Sequence, residues 1–553
     1  TPIGGTVADF TVNGLQGTAI VSTFTPIGGT VADFTVNGLQ GTTPDFTLSG
    51  TTPSGTGATE PVLTTGGGAG GTPAAVWTKN FPGGTNGFDK MSPVIDKNDN
   101  NNIFIGLNAD NKILQLDASG TKVREYDLGT GKNMSWKVAL ADTSTPGTTD
   151  TLYAASGDGK QLFAFHTTGP NAGNVKTGWP VTVGTASHEI VESPPFVHKN
   201  GNVYVMTNGG DTLPFPPAGK LHGYDKDGNR IKNSGGAFTF PINFSGKFSG
   251  GFAEATDGTL IVTGYGAIFN DKSIQAVDPL SGTDKWRVEH GTGGTEFGAV
   301  KGPPVIVGNS VVVNTDLVTP ASGGSGTGLP FVPEKKGRVV AINLTTQAQT
   351  TWYNSNDSME GGPAKGKSEG IGHATATDAV FVATSNGMAA IAVGGGTLWT
   401  VGGFNATTCT PVYDSTNNLV WVTDDDDGDV VAMRTVAEGG NAAGTEKHRI
   451  SPQTGGGLPA AAGSKSSPAI DSSGNVYLGY NNGNVTRISA SGTPITLQAV
   501  NVGTGFTSAP LPTDITLTQK TGTLGAIGTL AVDTVTINLD TSLKITFKGA
   551  ATA

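Results

Sequence analysis

The sequence predicts an all-β protein built around a β-propeller of about eight blades. Two observations lead to this fold class: a composition with 85 Gly, 31 Pro and only 14% charged residues, and a pattern that recurs between about residues 73 and 503. Threonine and valine suit a pleated surface, and glycine and asparagine supply the positive φ that tight turns need. This composition favours short strands joined by turns.

The recurring pattern is a Ser-Pro-x-x-Asp segment, an apolar strand, a Gly/Asn hairpin and a second apolar strand. Its clearest copy reads SPAID at 467–471, VYLG at 476–479 and NVTRI at 484–488. The apolar strand after the Ser-Pro segment recurs eight times, at 103–106, 152–155, 203–206, 260–263, 311–313, 380–383, 419–422 and 476–478. Spacings of roughly 40 to 70 residues are those of propeller blades with loop insertions.

A third strand and a terminal tryptophan complete many of the copies. The third strand is predicted at 112–117, 162–165, 221–224, 274–277, 339–342 and 430–433, and strands with Trp179, Trp286, Trp352 and Trp399 follow. The repeat resembles that of the PQQ-like (quinoprotein-type) propeller family, over about three quarters of the chain. This resemblance implies a fold and not an activity. We expect the tryptophans to pack between blades and the strand at Val76 and Trp77 to complete the last blade. Whether the closed ring has seven or eight blades is left open by the sequence.

The N-terminus contains a second repeat, because residues 1–18 and 25–42 are identical. In each copy apolar residues alternate as in a half-buried strand. The predicted assembly strands carry Val7, Asp9, Phe10 and Val12 in one copy and Val31, Asp33, Phe34 and Val36 in the other. The predicted organisation is a strand extension at 1–50, a Gly/Thr/Pro-rich linker at 51–72, the propeller at 73–505 and a C-terminal β segment at 506–553 with strands at 514–518, 534–539 and 543–547.

Two or three strands at either end make a marginal sheet alone, which leaves two arrangements open. The two ends can pair within one molecule as a small β-sandwich. Alternatively, the N-terminal strands can cross to a neighbouring molecule by β-strand addition. The second arrangement gives a head-to-tail interface that does not close, and therefore a filament.

The densest charge in the chain is a candidate calcium site. Asp424, Asp425, Asp426, Asp427 and Asp429 lie where other copies have a short hairpin. Calcium takes six to eight hard oxygen ligands, which such a loop can supply. The segments 96–100 and 225–229 have part of the Asp-x-Asx-x-Asx spacing of an EF-hand loop, but neither has the downstream glutamate at the expected position. For all three segments the alternative interpretation is a polar turn.

No catalytic constellation is predicted. The resemblance implies that enzymes of this family hold their quinone over the channel with a tryptophan, a Ca²⁺ site and often a cysteine pair, but Cys409 is the one cysteine here and is expected to be buried. Glu254 or Asp316 could ligate a metal, although a solvated carboxylate is the simpler interpretation. The seven histidines, His188 and His198 among them, have no zinc-protease spacing. We therefore predict no cofactor beyond possible Ca²⁺.

Charge and termini indicate the setting in which the protein works. A formal net charge of -11 repels phosphate backbones, so nucleic acid is not an expected partner. No apolar run approaches the ~18 residues that span a bilayer. A chain that begins at Thr1 reads as a mature protein after removal of a leader, so we expect a secreted or cell-surface location.

These features predict an extracellular structural protein rather than an enzyme. In this hypothesis the propeller is a subunit that self-assembles through its terminal β-strands into a filament or surface layer, with the protein itself as its partner. The alternative is a non-catalytic binding or assembly scaffold. A quinone-dependent dehydrogenase is the third and weakest hypothesis.

Overall fold

The computed structural model divides into two compact units, residues 77–487 and the combined ends at 1–76 and 488–553. In the first unit and at its borders it describes residues 75–81, 88, 91–98, 101–107, 110–130, 134, 137–141, 150–156, 160–184, 191, 193–207, 219–233, 235–244, 250–264, 272–289, 300, 302–319, 332–438, 440–450 and 463–489. In the ends it describes the backbone of the strands named below.

The first unit is a β-propeller with eight blades, each a four-stranded antiparallel sheet. Blades 1 to 4 consist of Val94–Asp96, Asn102–Gly106, Lys112–Leu116 and Lys122–Asp127; Ala139–Ala141, Thr151–Ser156, Gln161–His166 and Val181–Thr182; Phe196–Val197, Val203–Thr207, Gly219–Tyr224 and Ile242–Phe244; and Phe252–Glu254, Leu260–Thr263, Lys272–Val277 and Asp284–Glu289.

Blades 5 to 8 follow the same order. They consist of Val305–Val307, Ser310–Thr319, Val332–Asn343 and Gln349–Asn354; Ala364–Gly370, His373–Thr384, Gly387–Ala392 and Thr397–Gly402; Val412–Asp414, Leu419–Thr423, Val430–Arg434 and Glu446–Ile450; and Ala469–Ile470, Val476–Gly479, Asn484–Ile488 and Ala75–Asn80. The first strands of neighbouring blades lie beside one another and form the inner ring. The predicted fold class is confirmed.

The ring closes through a strand from the N-terminal side of the chain. Ala75–Asn80 is the outermost strand of blade 8, beside Asn484–Ile488. The Phe81 amide donates to the Gly483 carbonyl at 2.8 Å, and the Thr78 and Thr486 hydroxyls lie 3.0 Å apart. The prediction for Val76 and Trp77 is therefore confirmed, and the blade count is eight.

The core lies between the blades rather than within one of them. The buried apolar clusters each join neighbouring sheets, as where Phe381 of blade 6 meets Val420 of blade 7. Tryptophans fill these contacts, as predicted. The Trp77 Nε1 donates to the Ala118 carbonyl at 3.0 Å, in the next blade of the ring. The Trp179 Nε1 donates to the Lys226 carbonyl in the same way, at 3.4 Å. Trp179 was predicted to lie in a strand, but it precedes the strand Val181–Thr182, so that part of the prediction is wrong.

Aspartates at strand ends fix many of the turns. The Asp471 carboxylate accepts the amides of Ser473 and Asn475, both at 2.9 Å. Asp225 accepts the Asp227 and Asn229 amides in the same manner. These side chains compete for backbone donors, which stabilises the turn and ends the strand.

The combined ends form small sheets of their own. One has the order Asp9–Val12, Ile495–Val500, Asp33–Val36, Val62–Thr65. The strands Asp9–Val12 and Asp33–Val36, here called the duplicated strands, both pair antiparallel with Ile495–Val500. The other sheets pair Thr23–Phe24 with Thr47–Leu48 and Ala531–Asn538 with Ser542–Lys548. In this structure the N-terminal and C-terminal strands thus pair within one molecule. Val7, Val31 and the predicted strand at 514–518 lie outside the described residues.

Candidate functional site

The aspartate loop, residues 424–429, connects the second and third strands of blade 7, where the sequence pattern places a hairpin in the other blades. The Asp424 Oδ1 accepts the amides of Asp426 at 3.0 Å and Asp427 at 3.5 Å. The two oxygens of Asp425 instead accept the amide and the hydroxyl of Thr408, both at 2.9 Å. Two adjacent carboxylates are therefore turned toward different donors.

Two further carboxylates of the loop, those of Asp426 and Asp429, also have partners. The Asp426 Oδ2 accepts from the Asn405 side chain at 3.1 Å, and the Asp429 Oδ2 lies 3.2 Å from the Arg449 guanidinium. In the described part of the chain no three His, Cys, Asp or Glu side chains are grouped to hold a metal. Calcium binding at this loop stays a prediction, and the local hydrogen bonds fit the polar-turn interpretation.

Burial makes the loop electrostatically unusual. Desolvation raises the pKa of Asp425 to about 6, against the hydrogen bonds from Thr408 that lower it. Desolvation also raises the pKa of Asp424. Asp425 therefore takes up a proton at a higher pH than an exposed carboxylate, and its attraction for a cation weakens below about pH 6.

The other single-residue candidates have structural partners or lie outside the described side chains. Glu254 forms an ion pair with Lys199 at 3.0 Å and accepts the Lys199 amide at 2.9 Å. Asp316 lies in the strand Ser310–Thr319, and its side chain is not among those described. His198 is buried, with its Nε2 2.9 Å from the Gly258 carbonyl, and His188 lies outside the described residues.

Cys409 is buried, as expected, directly before the innermost strand of blade 7. The Thr423 amide donates to its sulfur at 3.4 Å. Burial raises the pKa of the thiol to about 12. A thiol held neutral and inaccessible is a poor nucleophile and metal ligand.

The inner ring contains a hydrogen-bond chain that the sequence analysis did not identify. The amide of Gly362 donates to the Thr410 hydroxyl at 3.0 Å, Thr410 donates to Ser467 at 2.9 Å, and Ser467 donates to Ser92 at 2.9 Å. Each of these residues precedes a proline and the first strand of its blade. The chain joins blades 6, 7, 8 and 1, and the recurring Ser/Thr-Pro pair was its sequence signal.

Lys137 occupies the corresponding position in blade 2, next along this ring. Its side chain is exposed. Hydroxyls and one ammonium group thus occupy the positions that precede the first strands of these blades. Such groups can donate hydrogen bonds to a polar ligand, but they do not form a nucleophile and base pair.

The fold defines the class of the protein, an eight-bladed β-propeller, and its sequence repeat resembles that of PQQ-like propellers. Its described residues include no helix long and apolar enough to cross a membrane. No family model and no curated protein matches the chain. Many solved structures match it at the level of fold.

Three of these structures illustrate the range of similar propellers. The quinohemoprotein alcohol dehydrogenase from Comamonas testosteroni is 12% identical with a TM-score of 0.47, over 76% of this chain and 77% of that one. Virginiamycin B lyase from Staphylococcus aureus is 9% identical with a TM-score of 0.39, over 75% and 98%. The C-terminal WD40 domain of Sif2 is 10% identical with a TM-score of 0.49, over 76% and 98%. They include enzymes and a WD40 domain, so these likenesses do not decide whether this chain is an enzyme.

Proposed function

We propose that the protein is an extracellular structural subunit that assembles into a filament or surface layer through its terminal β-strands. The propeller is the rigid body of the subunit, and the duplicated strands are its joint. Secretion to the cell surface is part of this proposal.

The observation that supports it is the placement of two identical strands on the two sides of one C-terminal strand. Asp9 pairs with Gln498 on one side, and Asp33 pairs with Val500 on the other. Because every molecule carries the same segment twice, a strand from a neighbour offers the same backbone and side chains as the molecule's own. Strand addition of this kind obtains affinity from main-chain hydrogen bonds.

The propeller supports the proposal by its closure. Eight sheets packed through apolar clusters, with tryptophans between blades, give a body that keeps its shape when force is applied through its ends. Closing the ring by Ala75–Asn80 also ties the N-terminal side of the chain to the C-terminal blade. The non-catalytic scaffold remains the alternative, in which the ring of hydroxyls and Lys137 would face a partner.

The test is electron microscopy of the intact chain and of a chain without residues 1–24. Because residues 25–42 repeat residues 1–18, the shortened chain starts with the same eighteen residues and differs in the number of copies. We expect ordered fibres or sheets from the intact chain and their loss from the shortened one, since its remaining copy is needed within the molecule. A chain without residues 1–72 should behave like the shortened chain.

Isolated discs from the intact chain at high concentration would contradict the proposal. Capture of one protein partner by such discs would favour the scaffold. Fibres that persist without residues 1–72 would show that assembly uses other surfaces.

A further inference from the structure

Two exposed apolar residues lie on adjoining turns where blade 3 meets blade 4. Phe238 is 62% exposed and Leu280 is 56% exposed. Each lies in the connection between the third and fourth strands of its blade. The Thr239 hydroxyl donates to the Leu280 carbonyl at 2.8 Å, so the two connections are in contact. We call Lys232, Phe238, Asp278 and Leu280 the blade 3–4 patch.

The blade 3 side of the patch is a closed turn. The Asn233 Oδ1 accepts the amides of Gly235 and Ala237, both at 3.0 Å. The Asn233 amide donates to the Ala237 carbonyl at 2.9 Å. Lys232 pairs with Phe238 as an antiparallel bridge on the two sides of this turn. The backbone that carries Phe238 is therefore fixed by its own hydrogen bonds.

The blade 4 side is fixed in a similar way. The Asp278 Oδ1 accepts the Leu280 amide at 3.0 Å, the Ser281 amide at 2.7 Å and the Ser281 hydroxyl at 2.9 Å. The Tyr204 hydroxyl of blade 3 donates to the Pro279 carbonyl at 2.5 Å. Since both turns are ordered before any partner arrives, binding at the patch loses less conformational entropy than binding by a free loop.

The patch has one charge of each sign beside its apolar residues. On the blade 3 side the Lys232 ammonium lies 4.9 Å from the centroid of the Phe238 ring, and it has no carboxylate partner among the described residues. On the blade 4 side the bonds to Asp278 all reach Oδ1, which leaves Oδ2 for a cation. A half turn about an axis between Phe238 and Leu280 exchanges these two sides. The patch is therefore complementary to itself.

We infer that the blade 3–4 patch binds the same patch of a second copy of this chain about a two-fold axis. Phe238 of one copy packs on Leu280 of the other, which removes exposed apolar surface from water. Lys232 of each copy meets Asp278 of the other, so opposite charges face one another across the contact. The inference goes beyond the proposed function, because this contact does not use the terminal strands.

The contact is weak between single molecules and pairs larger assemblies. Two apolar side chains and their turns bury less than the roughly 1,200 Å² at which stable interfaces begin. Subunits already joined through their ends present many such patches, and the high effective concentration strengthens each pairing. An isologous contact is complete after two copies. It therefore joins two assemblies side by side and lengthens neither.

A cysteine in the patch tests the inference, because a two-fold axis brings a residue close to its own counterpart. The full chain with Leu280→Cys is oxidised gently at increasing concentration, and the fraction of disulfide-linked dimer is measured. Val123→Cys is the matched control, since Val123 is 49% exposed and lies on blade 1. Ala237→Cys, at another exposed position, replaces the first probe if Leu280→Cys changes the melting temperature. Cys409 is buried, and burial raises its thiol pKa.

Charge reversal tests the ion pairs in the same experiment. Lys232→Glu places a carboxylate opposite Asp278 of the other copy, and Lys97→Glu makes the same change at an exposed position of blade 1. We expect Leu280→Cys to give about ten times more dimer than Val123→Cys. Adding Lys232→Glu should reduce that dimer about tenfold, because like charges then face one another, and adding Lys97→Glu should not. Equal dimer fractions at positions 280 and 123, or a fraction unchanged by Lys232→Glu, overturn the inference.

These outcomes are separable from those of the proposed function. Fibres from a chain whose Leu280→Cys variant gives no dimer overturn the two-fold contact and leave assembly through the terminal strands standing. Dimers at position 280 from a chain that forms no fibres support the two-fold contact and overturn the proposed function.

Discussion

At the scale of single residues, burial sets the charge of several groups. His448 is buried in blade 7 and stacks on Trp421, with ring centroids 6.3 Å apart and planes at 18°. Desolvation, with smaller contributions from Lys447 and Arg434, lowers the pKa of His448 to about 3. The imidazole is therefore neutral in the folded protein over a range in which the unfolded chain takes up a proton.

The first prediction concerns the pH dependence of stability. The pKa of His448 in the folded protein is below its unfolded value of about 6.5. The free energy of unfolding therefore decreases as pH falls from 6.5 toward 3, by up to about 1.4 kcal/mol per pH unit, and His448 causes no such loss above pH 6.5. We expect His448→Phe to reduce this loss between pH 6.5 and 4.5, measured by urea unfolding. His373→Phe, at an exposed position, should leave it unchanged. An unaltered pH profile in His448→Phe would contradict the assignment.

The second prediction separates backbone strain from side-chain collision. Gly120 and Gly129 both have a left-handed φ, 77° and 92°. A Cβ at Gly120 would lie 2.8 Å from the Trp77 ring, whereas one at Gly129 would meet nothing within 4 Å. Gly120→Ala and Gly129→Ala should share the conformational cost of about 1–2 kcal/mol, and Gly120→Ala should lose more because Trp77 must move. Equal unfolding free energies would show that the tryptophan contact contributes little.

At the scale of elements, apolar runs rich in β-branched residues were easy to predict. All eight second strands were predicted because residues such as Val203, Val205 and Val380 alternate or run together. The third strand of blade 6, Gly387–Ala392, was not identified, because its composition of Gly, Met and Ala has weak strand preference. Trp179 was placed in a strand because of its family pattern, but the strand begins two residues later.

The site was less predictable than the fold. The position of the aspartate loop follows from the order of strands along the chain. The directions of its carboxylates depend on Asn405 and Thr408, which lie in the preceding connection between blades 6 and 7. The chain from Gly362 to Ser92 likewise exists only because the ring closes. Such contacts are set by tertiary geometry and leave no periodic pattern in the sequence.

The third prediction concerns closure of the ring. Trp77 packs beside Tyr477, with centroids 6.1 Å apart, and donates to Ala118. Trp77→Ala should lower the free energy of unfolding by on the order of 3 kcal/mol, and Trp77→Phe, which loses the hydrogen bond, by about 1 kcal/mol. Lys79→Ala, exposed on the same strand, is the control. A similar melting temperature for Trp77→Ala and Lys79→Ala would argue against closure by this strand.

At the scale of the whole molecule, the closed propeller and the strand-forming ends have opposite properties. The propeller packs blade against blade through buried apolar side chains. The ends form short sheets whose outermost strand is one of two identical copies. Under the proposed function, a closed propeller that carries the same strand segment twice is a unit that assembles by strand exchange between copies.

The measurement that tests this account most directly is disulfide trapping between two variants. Chains carrying Thr11→Cys are mixed with chains carrying Thr496→Cys and oxidised gently, because Thr11 pairs with Thr496 across the terminal strands. Cys409 is buried with a raised thiol pKa, so we expect it not to react. We predict covalent dimers in the mixture and none when Thr496→Cys is replaced by Val123→Cys, an exposed site on the outer strand of blade 1. Equal cross-linking at Val123, or none at Thr496 under conditions of assembly, would contradict assembly by strand exchange.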